Sequence, residues 1–172
     1  MKPTVVMIFA TMLAASGIAS AQTANPLSAE AKQAYNTIKN NLQKMVEKMP
    51  EELYAFQPVP EIRTFGALVG HVADSQLRTC GAANGEQKTG TAGKMTKKAD
   101  LVAAMKESIA ACDAAFAKLT DETAKEMIKG PRGERSRLGM LVGNTTHANE
   151  EYGYMAVYLR LKGVVPPSSE GR

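Results

Sequence analysis

Apolar residues in this chain recur at steps of three and four, and no stretch carries them at steps of two. Tyr35, Ile38, Leu42, Met45 and Met49 form one such stripe, Phe65, Leu68, Val72 and Leu77 a second. Leu101, Met105, Ile109, Cys112, Phe116 and Leu119 form the longest. A period near 3.6 is that of a helix with one buried face, so this spacing favours packed helices over a sheet. Breakers divide the chain at matching places: Pro50, Pro58 and Pro60, then Gly85 to Lys94, then Gly130-Pro131-Arg132-Gly133, and finally Gly163 before Pro166 and Pro167. With Ser28, Thr64 and Ser136 as candidate caps, the reading gives helices over about residues 28–49, 64–82, 97–119 and 136–162. A short extra helix is expected between Thr120 and Ile128. At 172 residues, 44% hydrophobic and 22% charged, the chain is long and apolar enough for one core. The expected fold class is all-α, a single four-helix bundle.

The first 21 residues are expected to lie outside that bundle. Lys2 precedes the apolar run Val5-Val6-Met7-Ile8-Phe9-Ala10, which continues to Ala15 and ends at Ala19-Ser20-Ala21. A positive start, a short apolar stretch and an A-x-A site are the layout of a secretory signal peptide cleaved after Ala21. Residues 22–172 would then be the mature domain, periplasmic or secreted and not inserted in the membrane once the leader is removed. Loss of Lys2 lowers the formal net charge from +4 to +3. So mild a balance gives no reason to expect a nucleic-acid partner. The expected partner is a small-molecule substrate, and a homodimer is compatible with the composition.

Chemistry-bearing residues are few: two histidines and two cysteines. Two cysteines exclude zinc fingers and iron–sulfur clusters. His147 and Glu151 are four residues apart, so both project from one helix face. Together they offer one nitrogen and one oxygen to an ion, and an imidazole from a facing helix, His71, completes a two-histidine, one-carboxylate set with positions left for water or substrate. Zinc, nickel, iron and manganese all suit those donors. The residues alone leave a second reading open, in which both histidines are solvated or hydrogen-bonded helix positions. Asp74, one turn past His71, is a candidate to orient that ring. Tyr154 and Tyr158 follow Glu151 at helical spacing and could line a pocket above it. The basic residues Lys129, Arg132, Arg135 and Arg137 read as solvated surface, with an anion-binding patch as the alternative. No C-x-x-C-H, paired E-x-x-H, Ser-His-Asp or phosphate-loop signature is present.

His71 midway along the second helix, His147 in the fourth and Gly153 after Glu151 resemble the DinB superfamily of four-helix bundles. Those proteins carry one histidine in helix two and an H-x-x-x-H pair in helix four, often followed two residues on by glycine. Here Glu151 stands where the third histidine would be. The resemblance implies a divalent metal held by His71, His147 and Glu151, and, for some members, thiol-dependent transferase or related chemistry. It also implies an up-down-down-up order in which helices two and three run parallel, joined by a long crossover. A loop of about 14 residues could span up to about 45 Å, enough to recross the bundle. On a rise of about 1.5 Å per residue, His71 then lies about 17 Å from the end where helix four begins, and His147 and Glu151 about 16 and 22 Å into helix four. The heights agree.

In the same topology Cys80 and Cys112 are level, at about 24 and 22 Å along their helices. A Cys80–Cys112 disulfide is therefore expected in an exported protein, against the alternative of two buried thiols. The functional expectation is a metal-dependent hydrolase or transferase of unknown substrate. The other class it leaves open is a non-catalytic exported binding or stress-related bundle.

Overall fold

The computed structural model describes residues 25–131 and 133–171. The leader expected over residues 1–21 lies outside them. Helix α1 (Pro26–Lys48) starts at a proline whose missing N–H costs nothing in a first turn. Ser28, expected to cap this helix, lies inside its first turn instead. Its N–H and hydroxyl both donate to Asp121 Oδ1, at 2.8 and 2.7 Å. The free N–H groups of α1 thus find their acceptor in a carboxylate 93 residues away, which spacing within the helix cannot reveal. Thr64 does cap α2 (Phe65–Ala83), accepting from Ala67 N at 3.1 Å, and Ser136 caps α4 (Arg137–Leu161), accepting from Gly139 N at 3.1 Å. Between them lies α3 (Lys98–Ala117).

Long-range contacts fix the directions. The disulfide joins the last turns of α2 to the later half of α3 with the Cα atoms 4.8 Å apart, so those helices run parallel. Tyr35, near the start of α1, stacks on Phe116, near the end of α3, with ring centroids 4.3 Å apart. Arg137 at the start of α4 donates to the carbonyl of Ala83 at the end of α2. At the other end, Tyr158 donates to Arg63 O at 2.7 Å. The order is up-down-down-up. The core forms two apolar clusters, one around Leu42, Met45, Phe65, Leu101 and Met155, the other around Tyr35, Phe116, Met140 and the disulfide. Among the described residues no helix is long and apolar enough to cross a membrane.

The crossover is seated on α2 by two neighbours of the histidine. Asp74 accepts from Ala92 N and Gly93 N at 2.8 and 2.9 Å, so the loop backbone is held where it meets the helix. Gly70 leaves the space: a Cβ there would come within 2.5 Å of Ala92 O. A carbonyl pinned by the adjacent hydrogen bonds cannot withdraw cheaply. Gly70→Ala is expected to cost about 1–3 kcal/mol, the usual penalty of overpacking, read as a lower urea midpoint at unchanged slope.

Strands were not expected, yet two form. After a 3₁₀ turn at Thr123–Lys125, where the short helix was expected, β1 (Met127–Gly130) pairs antiparallel with β2 (Gly133–Ser136), Ile128 opposite Arg135 and Lys129 opposite Glu134. Four-residue strands that are half-buried at most show no apolar alternation. Only the Gly-Pro-x-Gly turn signals them, and Gly133, at φ 105°, takes the backbone conformation that favours glycine.

Candidate metal centre

His71 is on the second turn of α2, close to the Thr64 cap, and faces α4 where His147 and Glu151 lie one turn apart. Antiparallel packing of the two helices brings three donor atoms into a small triangle. His71 Nε2 is 3.2 Å from His147 Nε2 and 3.4 Å from Glu151 Oε1, and His147 Nε2 is 3.5 Å from the same oxygen. Bonds of about 2.0–2.2 Å meeting at tetrahedral angles place their donor atoms roughly 3.3–3.6 Å apart, so the triangle matches one face of a metal tetrahedron. Glu151 is buried, and its second oxygen, Oε2, has no hydrogen-bond partner; neither does the buried His147 Nδ1. Groups this well shielded are ordinarily partnered. A cation at the triangle would satisfy the carboxylate that the protein leaves half-bonded.

Electrostatics point the same way. Burial lowers the pKa of His71, and the nearby cations Arg63 and Arg78 add to the effect, outweighing the opposing pull of Glu151. Burial thus favours the neutral ring of His71, the form that ligates. The centre is closed at Glu151, whose side chain is 8% exposed, and more open at His71, at 29%.

A groove of about 690 Å³ runs from Glu151 along α4 towards its C-terminus, walled by Leu68, Arg63, Tyr154, Val157 and Tyr158. Tyr154 lies on that wall and is half exposed. Its hydroxyl donates to Glu150 Oε1 at 3.0 Å rather than reaching the triangle. Asp74 is not directed at His71: both of its oxygens are taken by Ala92 and Gly93. The ring's helical neighbour was visible in the sequence, but the loop that claims its carboxylate was not. Cys80 and Cys112 are joined, with S–S 1.97 Å, so neither is available as a thiolate or ligand. Sequence reasoning passed over Arg78 and Asn144, which lie close to His147; seven residues from His71 and three from His147, they share the faces of those histidines.

A family model for the DinB superfamily matches residues 34–155, a span that contains the triangle and both cysteines. No curated protein matches the chain. Among solved structures, a DinB-like protein from Bacillus cereus is 18% identical, with a TM-score of 0.67 over 80% of this chain and 93% of that one. A mutant of mycothiol-dependent maleylpyruvate isomerase is 15% identical, with a TM-score of 0.58 over 77% of this chain and 66% of that one. At such identities these likenesses speak for the fold alone. On the family match across most of its length, the chain belongs to the DinB superfamily.

Proposed function

We propose that this protein is an exported enzyme that binds one divalent metal ion through His71, His147 and Glu151 and carries out a hydrolytic or group-transfer reaction on a small molecule held in the adjoining groove. The observation that carries this reading is the donor triangle with edges of 3.2–3.5 Å, built on Glu151 Oε1, whose companion Oε2 is buried without a partner. Bound there, such an ion supplies a Lewis acid and lowers the pKa of a water or thiol at its open position. The protein's own part is to aim the two imidazoles at one point and to keep the Glu151 carboxyl buried beside them. The apolar wall of Leu68, Val157 and Tyr158 would seat the substrate and exclude solvent from one side. That groove favours an enzyme over a non-catalytic bundle, which has no need of an open cleft at its metal. The solved mycothiol-dependent isomerase is an instance of this fold in a thiol-dependent enzyme, with which a thiol co-substrate here would be in keeping. The disulfide supports export, since such bridges persist in oxidising compartments.

Protein purified without chelator is expected to contain about one zinc, nickel, iron or manganese ion per chain by elemental analysis. His71→Ala and Glu151→Ala are each expected to fall below a tenth of that occupancy. Wild-type protein that carries no stoichiometric metal and takes up none on titration would overturn the proposal.

A further inference from the structure

On the other side of His147 from the groove, towards the start of α4, the hairpin closes over a second and smaller hollow. Its volume is about 100 Å³, room for a few water molecules or one compact ionic group. Arg78 of α2 and Arg135 of β2 line it, with Ser75 and Thr79 beside Arg78, and Asn144 and His147 on α4. Among the described residues no carboxylate lines it. Among the described residues neither arginine has an ion-pair partner, whereas Arg137, two positions from Arg135, is held by Glu126 at 2.8 Å. Of the basic cluster read in the sequence, Arg137 is thus paired and Arg135 is left to the hollow.

Two further observations indicate what the hollow is for. Gly143 stands where Arg135 approaches α4, and a Cβ there would lie 3.0 Å from Arg135 Nη1. The guanidinium therefore rests against bare helix backbone, at a position where glycine costs helix stability. Asn144 is buried at 4% exposure, and its Oδ1 has no partner, while its Nδ2 makes only a 3.7 Å contact with the disulfide sulfur of Cys112. Its amide can turn either end to a ligand. Two unpaired guanidinium groups with hydroxyl and amide donors between them match the oxygens of a carboxylate or phosphate.

We propose that this hollow is an anion subsite for the substrate: Arg78 and Arg135 bind a carboxylate or phosphate-monoester group, and the apolar remainder of the same molecule extends past His71 and His147 into the groove. The subsite stands on its own residues; that its ligand is the substrate rests on the metal-enzyme reading above. Arg78 and Leu68 mark the two ends on α2, ten residues and hence about 15 Å apart. The substrate class is then an elongated molecule with an anionic head and an apolar body, its middle at the metal.

The test is calorimetric titration of chelator-treated, metal-free protein with inorganic phosphate and, separately, with succinate. At least one is expected to bind saturably at one site per chain. A response to phosphate alone identifies a phosphate-type head, and a response to succinate alone a carboxylate. Arg78→Ala and Arg135→Ala should each weaken binding roughly tenfold or more, the usual consequence of losing a charged hydrogen bond. Gly143→Ala should also weaken it, by displacing the Arg135 guanidinium at unchanged net charge, which a general attraction for anions would not register. Because the titration uses metal-free protein and the metal reading is tested separately by elemental analysis, a missing metal and a missing anion site give different results. No saturable binding of either probe, or equal binding by wild type and both arginine variants, would overturn the subsite.

Discussion

Replacing Cys80 and Cys112 together by alanine is expected to cost about 3–4 kcal/mol of stability and to lower the melting temperature by roughly 10 °C. The bridge closes a loop with a sequence separation of 32, and chain-entropy arguments assign that length a contribution of this size through the unfolded state. Both sulfurs are fully buried in the cluster that joins Tyr35, Phe116 and Met140, so removing them also takes packing from the ends of α2 and α3. Parallel neighbours linked by a long crossover need such a tie more than a hairpin would, because no short turn holds them in register. Reduction of the wild-type bridge should reproduce most of the loss, and the alanine variant should not respond to reductant at all. The metal triangle lies nearer the other end of α2, so metal occupancy of the variant should be unchanged below its own melting point. A loss under 1 kcal/mol would show that packing of α2 on α3 sets their register without the bridge.

The helices were legible because each buries a face that repeats at the helical period. Ile38, Leu42 and Met45 on α1 and Leu101, Met105 and Ile109 on α3 are all core residues. The triangle was legible for a different reason: His147 and Glu151 are neighbours by helix geometry alone, and only one other histidine exists to complete the set. What escaped depends on contacts between segments far apart in the chain. Asp121 serves the first turn of α1, Asp74 serves the crossover, and the hairpin forms from strands too short and too exposed to show a pattern. Arg78 reads as an ordinary solvated helix position until the hairpin is folded over α2. The basic cluster was visible, but which of its members is paired follows from where Glu126 ends up. Local period is written in the sequence, while the partner of a polar side chain is decided by topology.

Glu151→Met is expected to stabilise the metal-free protein by about 1–3 kcal/mol while abolishing its stabilisation by metal. The first effect follows from an unpartnered oxygen. Glu151 is 6% exposed, one oxygen meets the two imidazoles, and the other meets nothing. A buried acceptor without a donor costs about 1–3 kcal/mol, and more when charged. Methionine keeps the length of the side chain, fills the space flexibly and has no such requirement. His71 and His147 retain their mutual 3.2 Å contact, so the substitution leaves no new orphan between them. The second effect follows from mass action. Metal at 100 times its dissociation constant adds about 2.7 kcal/mol to a protein that binds it only when folded. The variant, lacking the anionic donor, gains none of this. Melting both proteins in chelator and then in excess metal should therefore reverse or erase their order, the variant higher in chelator and the wild type recovering its deficit in metal. A carboxylate with a purely structural role would make the variant less stable under both conditions, and that result would argue against a functional centre. The reversal is the mark of a site whose stability is given up in the empty protein so that a cation can be held.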